Sequence, residues 1–378
     1  MGRFRTARLA VVLQDGARAT VARAAGVDAA ALAAALRPAD LPCALGPLAP
    51  DHGARALGLA WALPLCAGDT DRGAVLLGPL PDGRALDAAE ADFAAALAAL
   101  AVGALETADR VAERVERERI AGELRAARAI QERLLPPTLD LGLDAAVVWR
   151  PSREVSGDTY ELARLDTPPG APARWLVAVA DVVGKGLGAA LLTATLQTGL
   201  RLARADLAGP APDLAAATAR LDRLVAETTE PHQFVTLAWA LVDAPHAGAP
   251  GRARAVTAGH PALRLVRADG TVTRLDAGGP LLGVVPGARF AHADAAFHPG
   301  DALVLVTDGA TEAQDASGDE WGERRLDDAI AAATGTAAER LDAIERARLA
   351  FAKPAPAEAG GARAEDDDLT LLAVRLAP

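Results

Sequence analysis

Four acidic positions in this chain stand beside strand-like runs. In "RWLVAVADVVGKGLGAALL" an apolar run ends at Asp181 and is followed at once by Gly184 and Gly186 around Lys185. In "GDALVLVTDGATEA" a run from Ala302 to Val306 leads to Asp308 and Gly309. Asp158 follows Gly157 in "REVSGDTYEL", and Asp366, Asp367 and Asp368 precede "LTLLAVRL". Taken singly, each reads as a turn or a solvated acidic face, because Asp beside Gly marks turns and acidic runs favour water. Several acids at strand ends are different, since strand ends from distant parts of a chain can meet at one spot. Carboxylates that meet repel one another unless a cation neutralises them. With oxygen donors and no His/Cys cluster, the expected ions are hard, Mg²⁺ or Mn²⁺ rather than Zn²⁺. Two such ions can activate a water and stabilise in-line displacement at phosphorus.

The elements that must position these acids follow from the patterning. Residues 8 to 26 offer two apolar strands around a Gln-Asp-Gly turn, and "LAWALPLCAG" with "RGAVLLGPL" repeats the hairpin around Asp69 and Asp71. A helix follows from about Ala88. This order resembles a GAF-type α/β sensor domain over residues 1–108, although the usual opening helix is missing. From Glu106 to Leu135 many Arg/Glu pairs and no Pro predict a long exposed helix, ended by Pro136 and Pro137. Ile120, Ala127 and Leu134 recur every seven residues with Leu124 and Gln131 between them, a coiled-coil seam, while Val111 and Val115 fall out of register. Residues 109–137 therefore read either as a dimer stalk or as a helix packed on its own domain. The remainder, 138–378, alternates strands and loops with two helices, near Ala189 to Ala205 and Leu214 to Thr229. The spacers "DAPHAGAPGR" and "KPAPAEAGGARA" read as surface loops.

Composition narrows the function classes. The chain has 378 residues, room for two domains. A net charge of -11 argues against a nucleic-acid backbone as partner. Two cysteines, Cys43 and Cys66, are too few for a disulfide framework, and "LAVVL" is too short for a signal-peptide core. The apolar run Phe93 to Leu105 is too short to span a bilayer, so a cytoplasmic protein without membrane contact is expected. Abundant Ala and Arg with no Asn suggest a high-GC bacterial source.

In order, "AARAIQERLLPP", "VSGDTYEL", "ADVVGKGLGAALL", "FVTLAWALVD", "TAGHPALRL", "GPLLGV", "LVTDGATEAQDASGDEWGERRL" and "EDDDLTLLAVRL" resemble the PPM-type metal-dependent serine/threonine protein phosphatases. The nearest branch is the bacterial one of the sporulation stage II E phosphatase and the sigma-factor regulators. The resemblance implies an α+β fold for 138–378, an αββα antiparallel β-sandwich holding two Mn²⁺ or Mg²⁺ ions. It makes Asp181 the bridging ligand, gives the Val182 carbonyl and Asp158 to the second ion, and adds Asp308 and Asp367 to the first. Asp368 falls where the family has a non-ligand. Water activated by the ions would attack phosphoserine or phosphothreonine directly, with no phosphoenzyme. Ser156 replaces one of the usual two glycines, and Val183 stands where eukaryotic relatives carry a histidine, which leaves the leaving-group proton unassigned. Lys185 and His260 become candidates for substrate or loop contacts, each against the plainer reading of a turn residue.

The substrate implied is a phosphorylated anti-sigma-factor antagonist of the STAS class, under control of the N-terminal domain and a homodimer through the helical linker. Two other readings stand beside it, a catalytically silent interaction module and a small-molecule phosphoester hydrolase. "CAGDTDR" has the Cys-x5-Arg spacing of cysteine phosphatases, but Asp69 and Asp71 would repel the anion.

Overall fold

The computed structural model describes residues 6–15, 18–37, 41, 44–67, 70–136, 141–184, 186–229, 233–352 and 367–376. The chain divides into two compact units, Met1–Arg119 and Ile120–Pro378.

In the first unit, β1 (Leu9–Asp15) and β2 (Arg18–Ala25) form the first expected hairpin, and β4 (Trp61–Ala67) and β5 (Thr70–Leu77) form the second. With β3 (Gly46–Pro47) they make one antiparallel sheet, order β2-β1-β5-β4-β3. One face packs on α1 (Ala29–Ala35), whose Leu32 is buried with Ala10, Val12 and Leu76. Asp28 caps this helix by accepting from the Ala30 and Ala31 amides. On the other face Leu63 and Leu65 pack against Ala94, Ala98 and Val102 of α2 (Ala88–Leu134). Arg72, the arginine of the Cys-x5-Arg stretch, is ion-paired with Asp109.

α2 is a single helix of 47 residues where two segments were expected. Charge pairs one turn apart, Arg114 with Glu118 and Arg117 with Glu113, lie along its exposed middle. The seam expected to face a partner helix is used at home: Leu124 and Ala127 pack on Val155 and Ala190, and Gln131 is buried. That contact takes the later part of the face a coiled coil would need, while Ile120 stays exposed. Val111 and Val115, out of that register, are exposed.

The second unit has four layers. One sheet holds β7 (Asp158–Leu165), β8 (Arg174–Val182), β9 (Val235–Asp243), β10 (Gly251–Ala258) and β13 (Gly278–Gly279), order β13-β10-β9-β8-β7, with β14 (Ala293–Phe297) also on β10. The other holds β6 (Asp144–Arg150), β11 (Leu263–Val266), β12 (Val272–Leu275), β15 (Ala302–Val306) and β16 (Leu369–Arg375), order β12-β11-β15-β16-β6. Pairing is antiparallel except between β10 and β13. Alternation assigns the faces: Val177 and Val179 meet Leu303, Leu305 and Leu372 between the sheets, while Leu176, Ala178 and Ala180 face outward. α3 (Leu187–Leu207) and α4 (Leu214–Thr228) cover that outer side. The second sheet is covered by α6 (Gly322–Ala332) and α7 (Ala337–Phe351) through Leu326, Ile330, Leu341 and Ile344.

The sequence reading gave this unit two helices; α6 and α7 correct it. Their signal is present in the apolar spacing and in the capping box of Thr336 and Glu339 that starts α7. The spacer from Ala244 to Pro250 is an exposed connection, whereas "KPAPAEAGGARA", Lys185, Cys43 and Asp366 lie outside the described residues.

Candidate active site

The strand register brings the first two acids together. β7 and β8 pair so that Asp158 lies directly opposite Asp181. Asp158 opens β7, and Asp181 is the residue before the last of β8, so both stand at one end of the first sheet. At the same end of the second sheet, β15 runs out into Thr307 and Asp308, the first residue of the short helix α5 (Asp308–Thr311). Asp367 and Asp368 immediately precede β16, the neighbour of β15.

Asp181, the Val182 backbone, Asp308 and Asp367 line a cleft of about 290 Å³, with Arg153 among its walls. Two glycines hold the sides close. A Cβ on Gly157 would come within 2.7 Å of the Val182 carbonyl oxygen and 2.9 Å of Asp181 Oδ1, so both oxygens face one small space. A Cβ on Gly309 would stand 2.0 Å from the Asp368 carbonyl oxygen, which fixes Asp308 against the Asp367–Asp368 segment.

Asp158 sits behind the cleft, 2% exposed. Its Oδ2 accepts from Thr307 Oγ1 at 2.8 Å and Thr370 Oγ1 at 2.6 Å, while Oδ1 is buried with no hydrogen-bond partner. It borders a cavity of about 10 Å³ shared with Gln131, Thr193 and Gln197. Burial, then the Asp181 charge, raises its carboxyl well above the ordinary range.

Burial and the charges of Asp308 and Asp367 push Asp181 up to about 7. Asp308 is raised by burial and by Asp367. Glu312, which the sequence reading missed, is raised by burial and then by Asp308 and Asp367. Acids forced to share a poorly hydrated space are what a divalent cation relieves. Among the described residues no three His, Cys, Asp or Glu side chains already form a cage; the acids flank the cleft rather than close on one point. The donor set of carboxylate and carbonyl oxygens, with the orphaned Oδ1 of Asp158, fits a hard ion.

Asp368 has a different task. Its Oδ1 accepts from the Ser152 amide and hydroxyl at 2.6 and 2.8 Å, and its Oδ2 from Ser156 Oγ and the Gly157 amide at 2.8 and 2.7 Å. Gln131 grips the same turn from α2, donating to the Ser156 carbonyl at 2.9 Å and accepting from its amide at 3.2 Å. Sequence reasoning found neither Gln131's clamp nor the partners of Asp158. The available signal was a lone Thr in an apolar strand, as at Thr370, which when buried needs a polar partner.

His260 lies away from solvent. Its Nε2 donates to the Val306 carbonyl at 3.0 Å, so Nδ1 accepts from Thr236 Oγ1 at 2.7 Å. Burial lowers its pKa to about 4, and it is neutral. Both ring nitrogens are engaged, so it braces Thr236, on the cleft wall, against the second sheet.

A family model described as stage II sporulation protein E (SpoIIE) matches residues 171–377. Protein IcfG of Synechocystis sp. is 26% identical over 277 residues, 67% of this chain and 41% of that protein. Phosphoserine phosphatase RsbU of Bacillus subtilis is 26% identical over 204 residues, 53% of this chain and 57% of that protein. The chain thus spans about half the length of the curated relatives it matches. Among solved structures, the SiaA-PP2C domain of Pseudomonas aeruginosa has a TM-score of 0.57 at 20% identity, covering 69% of this chain and 98% of that domain, and it shares the fold.

Proposed function

The chain belongs to the stage II sporulation protein E family, and from that premise we propose that it is a metal-dependent phosphoserine/phosphothreonine protein phosphatase working in the Asp181 cleft. The observation that carries this reading is the meeting of strand-end acids from both sheets, with Asp181 raised to about 7 by burial and then by the charges of Asp308 and Asp367. The name of the RsbU relative, a phosphoserine phosphatase, supports the substrate class.

Asp158, Asp181, the Val182 carbonyl, Asp308 and Asp367 would hold two Mn²⁺ or Mg²⁺ ions. Bound there, the ions would acidify a water and neutralise phosphoryl oxygens. The chain's own contributions are positional. Asp368, Ser152, Ser156 and Gln131 hold the turn that sets Asp158 opposite Asp181. Thr307 and Thr370 orient the Asp158 carboxylate so that Oδ1 is left for another partner. Arg153, on the cleft wall, offers a guanidinium to an incoming phosphoryl group. Lys185 is a further contact for substrate or a neighbouring loop.

The substrate is a phosphorylated antagonist of the STAS class, bound by an intracellular enzyme under control of the GAF-like first unit. The five-stranded sheet with α1 and α2 on its faces supports that sensor assignment. α2 contains an 18-residue window of mean hydropathy 1.6, long and apolar enough to cross a membrane. Its Ala94, Ala98 and Val102 pack on Leu63 and Leu65, which supports a globular role without a membrane.

The test is phosphate release from a phosphoserine protein by the full chain. Turnover should need Mn²⁺ or Mg²⁺, stop with EDTA, and fall at least about a hundredfold in Asp181→Asn, the scale of losing a main electrostatic element. Faster turnover of p-nitrophenyl phosphate than of phosphoprotein would instead identify a small-phosphoester hydrolase. Partner binding without turnover or metal uptake would identify a silent module.

A further inference from the structure

At the opposite end of the first sheet of the second unit lies another pocket, of about 500 Å³. It opens where β8 and β10 begin and β9 ends, against the connection between α3 and α4. Arg174 starts β8 and Asp181 lies seven residues further along the same strand, so the pocket and the metal cleft are about 23 Å apart.

The floor is made of charges taken out of water. Arg174, Asp243 and Arg254 are 5%, 8% and 9% exposed. Arg174 Nε donates to Asp243 Oδ1 at 2.5 Å and Arg254 Nη2 to Asp243 Oδ2 at 3.0 Å. Arg174 Nη1 also donates to the Leu207 and Gly209 carbonyls at 3.0 and 2.8 Å, and Arg254 Nη1 to the Pro212 carbonyl at 3.0 Å. One arginine would suffice to neutralise Asp243. The second leaves one positive charge in excess on the buried floor, a costly arrangement unless an anion completes it. Hydrogen bonding is unbalanced in the same sense: Arg254 Nε is buried with no acceptor. At the rim, half-exposed Arg252 donates to Asp294 Oδ1 at 2.7 Å, and His292 Nε2 stands 3.0 Å from Asp294 Oδ2. Asp213, which also lines the pocket, accepts from the Ala216 amide as the cap of α4, so its charge is set against the positive end of that helix.

The geometry points to a second ligand site here, separate from the metal cleft, that takes the phosphate group of a small molecule on Arg174, Arg254 and Arg252. Guanidinium forks match a phosphate's oxygens and charge, and the pocket's volume is in the range of small-molecule sites. This inference does not depend on the phosphatase reading, because none of its residues lies in the Asp181 cleft.

The experiment uses the full chain stripped of metal with EDTA and titrated calorimetrically with inorganic phosphate, with thermal unfolding read in parallel. Saturable binding and a rising Tm are expected. Arg252→Gln should weaken binding about tenfold and Arg254→Gln further, the scale of one charge-assisted pair. Asp181→Asn should bind as the parent does, whatever it does to turnover. Absence of saturable binding to the parent overturns the proposal. So does binding unchanged in Arg252→Gln, or binding lost in Asp181→Asn, which would put the anion in the metal cleft. Should Arg254→Gln fail to fold, the rim substitution Arg252→Gln decides alone.

Discussion

Asp367 and Asp368 are adjacent, alike in charge, and opposite in role. Asp368 is buried with four hydrogen bonds on its two oxygens, so its carboxylate is a structural post for the Ser152 and Ser156 turns. Asp367 is exposed on the cleft. Asp368→Ala is expected to lower stability by about 3 kcal/mol in urea unfolding, because it orphans several buried donors at once. Asp367→Asn should change stability by less than about 0.5 kcal/mol, yet reduce Mn²⁺ affinity in calorimetry. Equal stability losses in the two variants would refute this division. The pH response is also a residue-scale matter, with two opposing signs. Asp181, raised from 3.8 to about 7, keeps its proton in the folded state over a range where the unfolded chain has released it. Its contribution therefore falls as pH rises from about 4 to 7. His260, lowered from 6.5 to about 4, contributes stability that is present above 6.5 and lost as pH falls toward 4. In metal-free protein the two slopes oppose. Asp181→Asn removes one of them, so its Tm should drop more steeply than the parent's on acidification from pH 6.5 to 4. Parallel curves would contradict the raised pKa of Asp181.

At the scale of elements, the site depends on how closely β7 and β8 approach across a turn. Gly157→Ala places a methyl against the Val182 carbonyl, backbone that cannot rotate away. A cost of about 1–3 kcal/mol follows from overpacking, and the displaced Asp181 should cut metal-dependent turnover about tenfold or more, since small misplacements of reacting groups are amplified. A variant with native turnover would show that the turn has slack. The same elements mark how far the sequence could be read. Asp181 and Asp308 were visible because an apolar run that stops at an acid is a local pattern. The Asp158–Asp181 pairing was not, because register is set by contacts across the sheet. Asp368 was visible only as a non-ligand, since Ser156 lies 212 residues away along the chain. α6 and α7 were missed although Leu326 and Ile330, like Leu341 and Ile344, are spaced for a helix; α7 is only weakly amphipathic, whereas the periodicity of α6 was legible.

For the whole molecule, the question is what the long helix does with its apolar faces. Gln131 and Ala127 are turned inward on the second unit, which occupies the later part of the seam and leaves Ile120 exposed. A different stripe is left outward on the earlier part of α2: Leu97, Leu100, Val111 and Val115, the last three 71%, 56% and 60% exposed. Steps of three, eleven and four residues keep these positions on one side of a helix. If the homodimer expected from the sequence forms, that stripe rather than the Ile120–Leu134 seam should carry it. Sedimentation equilibrium is then expected to give twice the 38.5 kDa of one chain. Association should strengthen with salt, because each copy brings a net charge of -11 and added ions screen the repulsion. Leu100→Glu with Val111→Glu should yield monomers that keep the fold, since both side chains are in water within one chain, with a Tm below that of the dimeric parent. Substituting Ile120 alone should leave the dimer intact, and a parent that sediments as a monomer at every concentration would remove the stalk from the proposed enzyme altogether.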